Sequence, residues 1–226
     1  MTVLTPRVVG ELKNLRTLYE AQNRELVEYR GIEREFLEVK RENIVFKELL
    51  QFKDSLFHDS IICEIIGKDP SNLTSAITIS KGSNYGIKVN MPVVSEQDGL
   101  VGVVGKVISV GRYSSLVLPL LDQRSYIAGR LATSRFEGLV RGYDSRDGYL
   151  QLDYVKKIAL SEMNIGDLVE TSGMNSIYPK GYYIGRIISI KKLEYETSLD
   201  IKVEPIIDFS RLEYLSVLNI NGGDSE

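Results

Sequence analysis

Through roughly the first fifty residues, apolar side chains recur at alternating spacings of three and four: Leu12, Leu15 and Tyr19, then Leu26 and Tyr29, then Phe36 and Val39, then Phe46 and Leu50. That spacing draws one stripe along a helix, and a lone helix cannot bury its own stripe. The arm therefore requires a partner, most simply a second copy of the chain, and these residues are the expected dimerisation seam. Thr5 followed by Pro6 is a start signal, a hydroxyl cap and then proline in the first turn. About 45 helical residues at ~1.5 Å each would make a rod of roughly 70 Å. Gln22 and Asn43 place polar groups on the seam, a device that fixes register and oligomer state, and past Gly31 one line of the stripe slips back by a residue to Ile32. The competing reading is that the arm packs on its own β region.

Beyond about residue 58 the period changes from helical to two. Leu199, Ile201 and Val203 alternate with Asp200, Lys202 and Glu204, and Leu150, Leu152 and Tyr154 alternate with Gln151 and Asp153. Such alternation marks half-buried antiparallel strands. Turn signals at Asp98-Gly99, Asp147-Gly148 and Pro179-Lys180-Gly181 separate the runs. The region also repeats itself. Gly105-Lys106-Val107-Ile108-Ser109-Val110 matches Gly185-Arg186-Ile187-Ile188-Ser189-Ile190, and Pro119-Leu120-Leu121-Asp122 matches Pro205-Ile206-Ile207-Asp208. Met91-Pro92-Val93-Val94 likewise answers Gly166-Asp167-Leu168-Val169, and Gly67-Lys68-Asp69 answers Gly142-Tyr143-Asp144. The expected fold is mainly β with an amino-terminal α coiled coil: two small six-stranded antiparallel β-barrels follow the long helix. The expected division is a coiled-coil helix at 1–57, a first barrel at 58–134, a second at 135–219 and a tail at 220–226, with strand exchange between the halves compatible with the repeat.

Charge and composition exclude several classes. With 28 Lys and Arg against 31 Asp and Glu and no basic cluster, nothing favours a nucleic-acid partner. The single cysteine, Cys63, rules out an internal disulfide framework, and its isoleucine neighbours make it an expected buried strand thiol. The one histidine, His58, sits beside Asp59 in the junction after the arm and reads as a solvated residue. No stretch approaches the ~18 apolar residues of a membrane-spanning helix, so a membrane anchor is absent from this sequence.

Chemistry-bearing motifs are sparse. Gly82, Gly86, Gly99, Gly102, Gly173, Pro179 and Gly181 are expected structural turns, where positive φ or close backbone approach excludes a side chain. Lys81-Gly82-Ser83 lacks the glycine frame and following helix of a phosphate loop. Thr171-Ser172-Gly173 lacks a base beyond His58, so its hydroxyls are expected to satisfy a local turn. The scattered aspartates show no calcium-loop or metal spacing. Neither catalytic residue, cofactor nor metal is expected. Tyrosines crowd the turn regions, and Tyr182-Tyr183 beside Pro179 is the expected partner-contact patch, since tyrosine is enriched at interfaces.

Read in order, Asp69-Pro70-Ser71, Lys81-Gly82-Ser83-Asn84-Tyr85-Gly86, Met91-Pro92-Val93-Val94, Asp98-Gly99-Leu100-Val101-Gly102, Gly166-Asp167-Leu168-Val169 and Tyr178-Pro179-Lys180-Gly181 resemble the rod-shape-determining MreC family. Leu73 and Thr74 stand where that family often carries an aromatic residue. The resemblance implies a non-enzymatic scaffold of the bacterial cell-elongation complex, dimeric and open to higher assembly. It implies that the scaffold engages a membrane peptidoglycan synthase to maintain cell shape. It also implies a periplasmic location, anchored to the inner membrane by a helix preceding the arm. The implied partners are a class B penicillin-binding transpeptidase, RodA, MreD and MreB. A double-barrel serine-type hydrolase and a membrane-fusion-type adaptor of an export complex are the alternative readings.

Overall fold

The computed structural model describes residues 58–69, 71–143, 148–174, 177–192 and 198–220, and in the arm Tyr19, Val27, 30–32, 34–42 and Val45. The chain divides into two compact units, Met1–Asp54 and Ser55–Glu226. In the first, every described residue is α-helical. Tyr19, Phe36 and Val39 of the expected seam are more than half exposed there, as is Ile32. Leu12, Leu15, Leu26, Tyr29, Phe46 and Leu50 lie outside the described residues.

The second unit is built from twelve strands that close into two rings of six. The first ring holds β1 (Ser60–Gly67), β2 (Ile77–Ile79), β3 (Pro92–Gln97), β4 (Leu100–Val110), β5 (Ser115–Pro119) and β12 (Tyr214–Leu218). The second holds β6 (Tyr126–Leu131), β7 (Glu137–Gly142), β8 (Leu150–Asp153), β9 (Leu168–Thr171), β10 (Tyr183–Lys192) and β11 (Leu199–Pro205). Pairing of β4 with β5 shuts one ring and of β10 with β11 the other. Every pairing within a ring is antiparallel, and a parallel bridge from Tyr183 to Gly102 joins the two. Closure leaves neither ring with an open strand edge. The interiors are aliphatic: Ile79, Val93, Val104, Val107 and Val117 fill the first ring, and Val140, Leu150, Leu152, Ile187 and Ile201 the second, all fully buried.

The sequence repeat is a repeat of hydrogen bonding. Gly105 pairs with Pro119 and Val107 with Val117, and a bulge at Ile108 follows. Gly185 pairs with Pro205 and Ile187 with Val203, and a bulge at Ile188 follows. Leu120 N–H donates to Val104 (2.7 Å) as Ile206 N–H donates to Ile184 (3.1 Å). Val107 N–H donates to Met91 and Ile187 N–H to Asp167, each at 2.9 Å. Both repeat glycines are there for space. A Cβ on Gly105 would lie 2.0 Å from the Leu118 carbonyl oxygen, and one on Gly185 would lie 2.2 Å from that of Glu204.

The linear boundary expected near residue 134 is crossed in both directions, by the strand exchange with which the repeat was compatible. β6, assigned by sequence to the first barrel, completes the second, and β12, assigned to the second, completes the first. The reason lies in the two crossing segments, 119–125 and 205–211. Each turns on an aspartate, with Asp122 Oδ1 accepting from Arg124 N–H at 2.8 Å and Asp208 Oδ1 from Ser210 N–H at 2.9 Å. Each then sends the next strand into the other ring, so β6 sits between β7 and β9 as β12 sits between β1 and β3.

Candidate partner-binding site

The tyrosine pair expected to form a contact patch is not one surface. Tyr182 is 5% exposed, and its hydroxyl lies 3.1 Å from Nδ1 of His58, with the rings 6.2 Å apart. Burial pushes its phenol up to about 12. His58, expected in solvent, is half-buried against it and ties the start of the first ring to the second. Tyr183 is half-buried on β10, opposite Glu170 and Gly102. A tyrosine next to turns suits an interface and a core with a polar partner equally well, and here the hidden histidine supplied the partner. Tyr113, Tyr126 and Tyr143 are exposed, whereas Tyr178 is buried.

The turn residues behave more nearly as expected. Gly86, Gly99, Gly173 and Gly181 all have positive φ. Gly82 is held by close approach, its would-be Cβ 2.2 Å from the Gly111 carbonyl oxygen. Gly102 is the exception: it lies within β4, where a Cβ would meet Ile206 and Ile207 at 2.4 Å. Thr171 carries the local network expected of its motif. It is fully buried, its Oγ1 donates to the Pro179 carbonyl, and it accepts from Tyr182 N–H at 3.0 Å.

Equivalent outer faces of the two rings have diverged in chemistry. On the second ring, Lys202 lies over Tyr143 and Tyr149 at 5.6 and 6.0 Å, and Arg141 lies over Tyr143 at 5.7 Å. Arg141 also donates to Asp153 at 2.6 Å and Gln151 to Asp200 at 2.6 Å. At the corresponding positions of the first ring stand Ile66, Thr78 and Leu116, beside the bulge residue Ile108. Ile66 is 57% exposed and Ile108 and Leu116 are each 37% exposed, so this row presents apolar surface where its counterpart is internally paired.

Between the rings lies a cleft of about 730 Å³ that sequence reading missed. Buried Leu121, Ile207 and Phe209 contribute its apolar lining with Leu73 and Ile206, while Asp98, Glu204, Asp208 and Arg211 contribute polar groups. The volume is that of a recognition pocket, and the exposed lining is more polar than apolar, because Leu121, Ile207 and Phe209 are themselves nearly buried. Gln97 holds the wall in place: its amide donates to the Asp208 carbonyl at 3.2 Å and accepts from Asp208 N–H at 2.6 Å. Hydrogen bonds from Ser210, aided by the charges of Arg211 and Lys68, keep the Asp208 carboxyl below the usual carboxylate range. Its signal was already in the chain, since the crossing motif Pro205-Ile206-Ile207-Asp208 is half of the repeat, yet nothing in the motif says that two apolar residues border a space. Among the described residues no cluster of three or more His, Cys, Asp or Glu could hold a metal ion.

Residues 65–219 match the family model of the rod shape-determining protein MreC, barrel core. The cell shape-determining protein MreC of Listeria monocytogenes is 29% identical over 215 residues, covering 93% of this chain and 70% of that protein. A solved structure of MreC superposes with a TM-score of 0.72 at 26% identity, covering 80% of this chain and 99% of that one. The fold also matches a chain in the complex between penicillin-binding protein PBP2 and MreC from Helicobacter pylori. There the TM-score is 0.50 at 19% identity, with 70% of this chain and 95% of that one covered.

Proposed function

The chain belongs to the rod shape-determining MreC family, and from that premise we propose that it is a non-enzymatic scaffold of the cell-elongation machinery. It self-associates through the arm and holds a class B penicillin-binding transpeptidase against its strand-exchanged rings, maintaining cell shape by setting where and when wall synthesis occurs. The observation that carries this reading is the family match across nearly the whole ring region, on a chain whose arm shows unburied apolar residues at seam spacing. The Helicobacter pylori complex with PBP2 supports a transpeptidase as the partner. RodA, MreD and MreB follow as further partners from the family resemblance, as does a periplasmic location beside a membrane anchor. Among the described residues no helix is long and apolar enough to cross a membrane.

The mechanism is geometric. A scaffold that binds one conformation of a synthase better than another shifts the population toward it, by no more than the difference in binding free energy. Dimerisation through the arm presents two ring platforms together and raises the effective concentration of whatever each one holds.

Sedimentation equilibrium tests the arm directly. The wild-type chain is expected to be dimeric, and Leu26→Glu with Phe36→Glu is expected to yield a monomer whose ring unit keeps its thermal midpoint. A dimer that survives both substitutions overturns the seam. In cells carrying the double variant as the sole copy, loss of rod shape is the expected result, and normal rods would sink the scaffold reading.

A further inference from the structure

The two crossing segments are counterparts, but the spaces beside them are not. Beside 119–125 lies Tyr178 of the long connection from β9 to β10, whose described residues are 172–174 and 177–182. Tyr178 of that connection is 7% exposed, and its hydroxyl lies beside that of Ser125 without a well-aligned hydrogen bond. Thr171 fastens the connection by bonding to both Pro179 and Tyr182. Beside 205–211, the corresponding connection from β3 to β4 is only Asp98 and Gly99. Arg211, which occupies the place of Ser125 in the repeat, lines an open cleft instead.

We propose that this open cleft receives an exposed loop of a partner protein that carries an aromatic side chain followed within two residues by a cation. The aromatic requirement comes from the molecule itself, which fills the equivalent place with Tyr178 of Tyr178-Pro179-Lys180. The half-buried apolar lining at Leu73, Pro205 and Ile206 offers a ring the same kind of surface. The cation requirement comes from charge. Asp98 and Glu204 are exposed, and neither forms an ion pair among the described residues. Arg186, opposite Glu204 in the ladder, gives its Nη1 to the Gly166 carbonyl at 2.9 Å, and Arg211 is engaged by Asp208 at 3.2 Å. A polypeptide loop fits better than an added strand, because closed rings offer no edge to extend.

The proposal deepens the scaffold reading by stating what chemistry the rings recognise, and its test does not involve the arm. The probe is a dye-labelled peptide with the sequence of residues 176–182, used with the full chain at low salt in fluorescence anisotropy. A second version carries benzoylphenylalanine in place of the first tyrosine for photocrosslinking and mass spectrometry. Saturable binding is expected, with adducts on Leu73, Pro205 or Ile206. About fivefold weakening is expected when Asp98→Asn and Glu204→Lys are combined, and again when the peptide lysine becomes glutamate. Absence of saturation up to millimolar peptide overturns the proposal, as do adducts at Ser125 or elsewhere, or affinity indifferent to either charge change. If cells carrying Leu26→Glu with Phe36→Glu keep normal rods while the peptide binds, the scaffold reading fails and the cleft assignment stands.

Discussion

Gly105 and Gly185 show how little room the ring corners leave. The hypothetical Cβ of each meets a backbone oxygen, 2.0 and 2.2 Å away, and a backbone atom on a paired strand cannot rotate aside. Gly105→Ala should therefore destabilise the ring unit by about 2 kcal/mol or more, as overpacking does. That is a fall of roughly 4–8 °C in thermal midpoint by calorimetry, and an unchanged midpoint would refute the contact. Cys63 makes a second, pH-dependent prediction. Burial on β1 pushes its thiol up from 9.0 to about 11, a nearby Lys81 charge opposing weakly. Between those values the folded chain keeps a proton that the unfolded chain releases. Stability contributed by the neutral thiol is thus full below pH 9 and declines as pH rises toward 11, by roughly 2 kcal/mol. Urea unfolding at pH 8 and 10.5 should show that decline in the wild type and a smaller one in Cys63→Ala, with Tyr182 adding to both above pH 10. Native Cys63 should also resist thiol reagents at pH 8, since the thiolate is the reactive form.

Single strands decide the fate of a closed ring. β12 pairs with β1 on one side and β3 on the other, so removing residues 214–226 opens two edges at once. We expect that deletion to abolish the near-ultraviolet circular dichroism of the ring unit and to cause aggregation. A soluble, monodisperse product would contradict the assigned pairing. Which elements exist was legible in the sequence wherever a local constraint left a mark. The paired motifs at Gly105 and Gly185 survived because the same bulge and the same close approach recur in each half. Which ring a strand joins left no such mark. Tyr126–Leu131 and Tyr214–Leu218 carry nothing that names a partner strand, and period two, where it shows, gives the inward face without the neighbour. The cleft escaped for a similar reason. It exists because Asp98-Gly99 is short where 172–182 is long, a difference that acquires meaning only once both connections are known to flank equivalent segments. His58 and Tyr182 are 124 residues apart, and no periodicity links residues so distant.

Because each ring contains a strand from the far half of the chain, neither can melt without disturbing the other. Differential scanning calorimetry of the ring unit should show one transition with equal calorimetric and van't Hoff enthalpies, and two resolved transitions would refute the exchange as a source of cooperativity. The same arrangement imposes an order on biosynthesis. A chain emerging from its amino end can assemble the later barrel as soon as residue 205 is available, while the earlier one waits, its gap unfilled, for residues 214–218. Any product of interrupted translation or proteolytic clipping in that last stretch would carry an unzipped seam between β1 and β3, a form prone to clumping and open to degradation. Strand exchange thus acts as a built-in proofreading step, in which only a polypeptide that reaches β12 can shut the ring that begins at β1.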